Sequence, residues 1–158
     1  MQASDMADVE RIGDAVHQAF PERTAVPAER LALFPDGCLI AGDATGAVIG
    51  YAVTHPWHLD RPVPLDTLLG GLPANSDCLY IHDVALRPAA RGTGLGRAVV
   101  TILAGVAERH GLRAMALTAV HGSVPFWTTC GFAVVESPAL AAKLASYGPD
   151  ARYMVARL

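Results

Sequence analysis

The stretch from Leu79 to Arg97, Leu-Tyr-Ile-His-Asp-Val-Ala-Leu-Arg-Pro-Ala-Ala-Arg-Gly-Thr-Gly-Leu-Gly-Arg, constrains the fold more than any other part of the chain. Residues 79–86 are apolar and β-prone apart from His82 and Asp83, and Pro88 ends the run. Beyond it Leu95, Ala98, Val99, Ile102, Leu103 and Val106 recur at helical spacing. The segment therefore predicts a strand joined to a helix by an arginine-led, glycine-punctuated turn. Gly92, Gly94 and Gly96 have no Cβ and sit at the helix start. An anion can approach that backbone closely, facing the unpaired N–H groups of the first turn and the positive end of the helix dipole. Arg91 and Arg97 add guanidinium donors.

Spacing separates the known phosphate loops. A Walker loop requires Gly-Lys-Ser/Thr, whereas Gly96 is followed by Arg97 and Ala98. A dinucleotide fingerprint requires Gly-x-Gly-x-x-Gly and an acid roughly 20 residues further on. Here the glycines alternate, and the next predicted strand, Arg113 to Val120, has no Asp or Glu. The pattern that fits is Arg/Gln-x-x-Gly-x-Gly/Ala, satisfied by Arg91, Gly94 and Gly96. It resembles the pyrophosphate loop of the GCN5-related N-acetyltransferases. A second segment, Phe126-Trp127-Thr-Thr-Cys130-Gly131-Phe132, resembles the Phe-Tyr-x-x-x-Gly-Phe motif of the same family. The predicted element order also resembles it. A first helix spans about Ala7 to Ala19, capped by Ser4 or Asp5, and a short second helix lies near Ala28 to Leu33. A strand pair, Cys38–Ala41 and Ala47–Thr54, precedes the strand–turn–helix, and late strands lie near Phe132–Val135 and Arg152–Leu158. The family's usual first strand would have to fit before Ser4, so it is expected to be very short or absent.

At 158 residues with no evident linker, the chain predicts one domain over 1–158, large enough for a full core. Hydrophobic residues make up 52%, yet no run approaches the ~18 uninterrupted apolar residues of a membrane span, and no signal peptide pattern opens the chain. A cytoplasmic protein without a membrane role is expected. The net charge of −3, with scattered basic residues, gives no stripe for nucleic acid. Cys38, Cys78 and Cys130 are odd in number and share no close spacing, against both a disulfide framework and a zinc cluster. His55-Pro-Trp-His58 lacks a completing ligand pair, so no metal is expected. The segment 56–77 is long for a connection between strands. It reads as a short helix over the core, a homodimer contact or a lid over an acceptor pocket.

What the resemblance implies is specific. The fold is α/β: a mixed, twisted sheet flanked by helices, with a central strand pair splayed to admit acetyl-CoA as co-substrate. Val84 and Leu86 then offer main-chain contacts to pantetheine. Arg91, Gly92, Thr93, Gly94, Leu95, Gly96 and Arg97 hold the pyrophosphate, and Ser123, Phe126 and Trp127 complete the cofactor side. Strand alternation places Tyr80, His82, Val84 and Leu86 on one face, and Ile81, Asp83 and Ala85 on the other. His82 and Tyr80 fall where serotonin N-acetyltransferase, a family member, has its two catalytic histidines, which makes His82 the candidate base. Asp83, on the opposite face, is expected to meet a donor elsewhere.

Two chemical constraints follow. An alkylammonium near ~10.4 lies about four units above a histidine near ~6.5, so direct proton transfer is uphill by roughly 5 kcal/mol. A water relay, a pocket that lowers the amine pKa or an arylamine acceptor would each resolve this. Trp127 stands where the family usually has the tyrosine that protonates the leaving thiolate, and an indole N–H is not a usable acid. Tyr80, Cys130 or water could supply that proton, or the low basicity of the thiolate could make an acid unnecessary, with Trp127 as a packing wall. The expected activity is N-acetylation of a small-molecule amine by direct attack in a ternary complex. Trp57, Tyr80 and Trp127 are candidates to line an aromatic acceptor pocket. The alternatives are a non-catalytic acyl-CoA-binding module, or a transferase acting on a protein or peptide amine.

Overall fold

A computed structural model of the chain describes residues 1–120, 122–144 and 147–158. After a single 3-10 turn, α1 (Met6–Val16) buries Val9 and Ile12, and α2 (Ala25–Leu33) follows a short connection. Strands β1 (Leu39–Gly42), β2 (Val48–Trp57) and β3 (Cys78–Leu86) form an antiparallel meander. The chain then crosses over through α3 (Leu95–Arg109) to β4 (Ala114–Ala119), which is parallel to β3. Next come α4 (Val124–Thr129), β5 (Ala133–Val134), α5 (Pro138–Leu144) and β6 (Arg152–Arg157). The six-stranded sheet has the order β1-β2-β3-β4-β6-β5. The expected α/β architecture is what the chain adopts. No strand precedes α1 among the described residues, as the short leader ahead of Ser4 implied.

The two faces of the sheet divide the core. Leu79 and Ile81 of β3 and Met115 and Leu117 of β4 pack with Val99, Val100, Leu103 and Val106 of α3. On the other face Cys78, Tyr80, Ala114 and Ala116 meet Leu140 and Leu144 of α5, and Tyr51, Val53 and Ala85 meet Val9 and Ile12 of α1. The period-3.6 apolar stripe of α3 and the period-2 alternation of β4 are the sequence patterns that encode this packing.

Beyond shifts of about three residues at the start of α2 and the end of β2, three larger departures from the sequence reading stand out. α1 stops at Val16, and residues 17–24 become a connection instead of a further helical turn. α5 has no counterpart in the sequence reading. Between β2 and β3, residues 58–77 contain neither helix nor strand, so the short helix expected there is replaced by an irregular strap. Val63 within it is buried, and the Tyr147 hydroxyl donates to its carbonyl. The strap is tied to the α2 region by polar bonds. The Glu29 carboxylate accepts from Leu69 and Gly70 N–H, while fully buried Arg30 donates from Nη2 to the Thr67 carbonyl at 2.7 Å and pairs with Glu29 at 2.7 Å. Arg23 holds Asp66 at 2.8 Å.

Candidate active site

β3 and β4 are paired only at Leu79↔Met115, Tyr80↔Ala116 and Ile81↔Leu117. Beyond Ile81 the two strands diverge and open a cleft of about 820 Å³, within the range of ligand sites. Val84, Leu86, Arg91, Gly92, Gly94, Gly96, Arg97, Ser123, Phe126 and Trp127 line it, joining ten of the expected cofactor contacts in one groove. Gly94 is the N-cap of α3 with φ +89°, and Gly92 has φ +76°, conformations that L side chains rarely adopt. The turn thus delivers bare backbone to the mouth of the cleft at the positive end of α3. Arg91 Nε is tied back to the Leu86 carbonyl at 3.3 Å, and Arg97 Nη1 to the Thr129 carbonyl at 3.2 Å. Thr93 and Leu95 do not line the groove, and the Thr93 hydroxyl donates to the Ala90 carbonyl.

At the inner end of the cleft β3 carries a β-bulge. Val53 opposes Asp83 but Thr54 opposes Ile81, so His82 is the extra residue. A bulge shifts the side-chain alternation by one position. The strict alternation expected across 80–86 therefore fails. Leu79, Ile81 and Val84 pack on the α3 side, while Tyr80 and Ala85 pack on the opposite side. Asp83 accordingly turns toward α1 and lines the same inner cavity as Tyr80 and His82, instead of facing away from them. It does meet donors, as expected: His17 Nε2 lies 2.8 Å from its Oδ1, and the Tyr51 hydroxyl donates to its Oδ2 at 2.5 Å. Gly13 makes the second contact possible, because a Cβ on Gly13 would lie 2.9 Å from the Tyr51 oxygen.

His82 has a carboxylate of its own. Its Nε2 lies 2.8 Å from Glu22 Oε2, and the other Glu22 oxygen accepts from the Asp66 N–H. Burial pushes Glu22 up, but the hydrogen bond and charge of His82 outweigh it and hold the carboxyl below its ordinary value. Asp83 behaves alike: burial raises it, and His17 and Tyr51 bring it below the ordinary carboxylate range. Burial pushes His17 down, yet Asp83 prevails and its imidazole lies above the ordinary histidine value. The connection 17–24 and the bulge thus exchange two histidine–carboxylate pairs, each contributing one histidine and one acid. Neither Glu22 nor His17 was singled out by sequence reasoning; a lone acid and a lone histidine in a helix connection carry no motif or period.

The inner cavity is lined by residues of α1, the 17–24 connection, the strap residue Leu65 and Tyr147. It meets the cleft at His17, His82, Asp83, Thr118 and Val120, which line both. Tyr80 lines the inner cavity but not the cleft; it is buried, shares a 2.9 Å hydrogen bond with Thr118 Oγ1, and burial raises its phenol to about 12. Trp127 is buried against Phe126 and Phe132 and walls the cleft. Of the three aromatics expected around an acceptor, only Tyr80 lines the inner cavity: Trp57 Nε1 donates to the Arg61 carbonyl outside it. His55, read with His58 as half of a metal site, is turned into the core beside Tyr80 and His82, with ring centroids 5.5 and 6.2 Å away.

Residues 9–132 match the model of the Acetyltransferase (GNAT) family. The chain belongs to that family. No curated protein matches the sequence significantly. Among solved structures, the GNAT-like decarboxylase GphF in complex with isobutyryl-CoA superposes with TM-score 0.79 at 14% identity, covering 99% of this chain and 96% of that one. Ard1 from Thermoplasma volcanium gives 0.75 at 15% identity, with 100% and 94% covered. The NatC complex bound to Gag peptide and CoA gives 0.74 at 19% identity, with 99% and 92% covered. At these identities the likeness is one of fold. The bare backbone at Gly92 and Gly94 fits a diphosphate, and structures of the same fold have been solved with CoA or an acyl-CoA bound.

Proposed function

We propose that this GNAT protein is an acetyl-CoA-dependent N-acetyltransferase acting on the amine of a small molecule, by direct attack in a ternary complex in the cytoplasm. The observation that carries the reading is the junction of the two cavities at His82. A donor in the cleft and an amine in the inner cavity would meet there, beside a histidine already oriented by a carboxylate. With His82 Nε2 donating to Glu22, Nδ1 is the nitrogen left to accept a proton, and Glu22 stabilises the imidazolium that results. Acetyl-CoA, as co-substrate, supplies the activated acyl group. The chain's own contribution is positioning by the glycine turn, exclusion of water by the strap, and proton transfer at His82.

The inner cavity supports a small acceptor. It is about 100 Å³ and is bordered by Leu65 of the strap and by Tyr147. Among the described residues its lining includes Glu10, Asp14, Glu22 and Asp83 and no Lys or Arg, so the four carboxylates favour an ammonium even beside a protonated His17.

Titration with acetyl-CoA in a calorimeter, followed by a thiol-release assay over a panel of alkylamines, arylamines and peptide N-termini, tests the reading. Turnover is expected with a small amine. Acetyl-CoA binding without amine-dependent thiol release would instead favour a non-catalytic acyl-CoA module, and release driven mainly by peptides would favour a peptide acceptor.

A further inference from the structure

On the reading that the protein is an N-acetyltransferase, the leaving thiolate needs a proton, and the tyrosine that the family motif would provide is Trp127. We propose that His17, held by Asp83, is the acid that protonates the CoA sulfur, so that the two histidine–carboxylate pairs divide the proton work between them. His82, on Glu22, takes the proton that the amine loses as the N–C bond forms. His17, on Asp83, gives its proton to sulfur as the C–S bond breaks. The net change is amine plus acetyl-CoA to amide plus free CoA thiol, with His82 returning its proton to solvent and His17 reloading from it.

The lining of the cleft leaves few other donors. Tyr80 and Tyr51 line only the inner cavity, and each phenol is committed, Tyr80 with Thr118 and Tyr51 with Asp83. Trp127 offers an indole. Arg91 and Arg97 line the cleft, but guanidinium does not give up a proton near neutral pH. Cys130 is not among the lining residues. The Thr118 and Thr129 hydroxyls are engaged with Tyr80 and the Phe126 carbonyl, and an aliphatic hydroxyl such as that of Ser123 is far too weak an acid, which leaves His17 and His82, at the end of the cleft where it meets the inner cavity.

The surroundings of His17 suit an acid. It faces Asp83 and His82 of β3, Glu22 of its own connection, Asp14 of α1, and Arg91 of the glycine turn, with Tyr51 of β2 reached through Asp83. Burial opposes its charge and Arg91 adds to that, but the hydrogen bond and charge of Asp83 together with Glu22 outweigh both, so the imidazolium persists above the ordinary histidine range. His82 differs in partner and in position on the bulge.

The test compares wild type with His17→Gln, using acetyl-CoA and its oxygen ester analogue, whose alkoxide leaving group is far more basic than a thiolate. Loss of an acid should lower turnover at least about tenfold with acetyl-CoA and about tenfold more with the oxygen ester, approaching the ~10²–10⁴-fold range of a lost proton donor. Calorimetric affinity for CoA should stay within a few-fold of wild type. Equal losses with both donors, or turnover within threefold of wild type in a folded variant, overturn the assignment. Should His17→Gln not fold, Asp83→Asn decides the matter. The rate falls as pH rises through the pKa of the acid, and removing the carboxylate lowers that pKa, so the alkaline limb of the kcat profile should move to lower pH. An unmoved limb overturns the role. Wild type that binds acetyl-CoA yet acetylates no amine overturns the parent reading and this one together; turnover in wild type with an unaffected His17→Gln overturns this one alone.

Discussion

Glu22 and His82, far apart in sequence, meet at 2.8 Å across the gap between the α1–α2 connection and the bulge of β3. The contact fixes which imidazole nitrogen is committed and which is available. It also makes the orientation of His82 dependent on a segment that belongs to neither strand of the cleft.

His82→Gln should therefore reduce turnover by ~10²–10⁴-fold, the range for a lost general base, with little effect on acetyl-CoA affinity. Glu22→Gln keeps the shape of the contact but removes the charge, and should cost less, about tenfold to a hundredfold. Steady-state rates with an alkylamine check both. Rates of the two variants matching wild type across pH 6 to 9 would reduce the pair to packing.

Gly94→Val places a β-branched residue at φ +89° where no neighbouring atom lies within 4 Å, so the penalty is one of backbone conformation and not of crowding. A cost of about 1–2 kcal/mol in stability is expected, because a left-handed L residue is strained. Its side chain should also bar backbone approach to a diphosphate and weaken CoA binding by at least tenfold. Gly96→Val fails differently, since its Cβ would meet Phe126 Cζ at 3.0 Å. Calorimetry alongside thermal melts distinguishes the two; a Gly94→Val variant that binds CoA like wild type would refute the cradle.

His55 titrates in a direction that can be measured. Burial, with the His82 charge second, pushes it down to about 3, so the native protein leaves it neutral while the unfolded chain protonates it below about 6.5. As a depressed group, it contributes stability that is present above the unfolded pKa and lost as pH falls. Relative to His55→Phe, wild type should lose up to ~1.4 kcal/mol per pH unit below 6.5, or about 2–3 kcal/mol by pH 4.5. His17 acts oppositely: its raised pKa gives stability that is full below about 6.5 and fades as pH rises through the native value. Urea titrations of both proteins from pH 4.5 to 7.5 test this, and parallel curves would show that His55 is solvated in the native state.

Arg30→Met should loosen the strap. The variant removes the buried donor to the Thr67 carbonyl and the cation beside Glu29, which keeps its Leu69 and Gly70 N–H donors, at a cost of about 1–3 kcal/mol for the carbonyl left without its partner. Limited proteolysis should cut within 58–77 sooner than in wild type. Unchanged cleavage would mean that the buried Val63 and the Tyr147 hydrogen bond hold the strap unaided.

Trp127→Phe should keep most turnover, since Trp127 meets Phe126 and Phe132 as a packed wall, and should lower stability by about 1–2 kcal/mol for the lost ring volume. A large rate loss in a well-folded variant would assign the indole N–H a direct part in the reaction.

What the sequence made legible was whatever is encoded locally. The glycine turn, the apolar stripe of α3, the Phe126–Trp127 segment and the order of elements follow from spacing within a few residues, and the cleft contains ten of the twelve residues assigned to the cofactor. The acceptor side was not legible. Period-two reasoning cannot see an inserted residue, so the bulge at His82 reversed the faces assigned to Asp83, Val84 and Leu86. Glu22 and His17 acquire their meaning only from contacts across the fold. The strap stayed open between a short helix, a dimer contact and a lid because its leucines and prolines suit each, and its irregular course depends on polar ties to Glu29, Arg30 and Arg23 from outside the segment.

The bulge gives β3 two addresses. Its upstream half faces the inner cavity through Tyr80, its downstream half faces the cleft through Val84 and Leu86, and a single surplus residue sets the phase between them. Chemistry along this strand can therefore drift by substitution, whereas its length cannot: deleting one residue between Ile81 and Val84 would exchange inward and outward positions for everything that follows and carry the cleft-lining side chains onto the side of the inner cavity. Lineages that change acceptors on this scaffold would be expected to vary the 17–24 connection and the strap, and to leave the count of residues in β3 untouched.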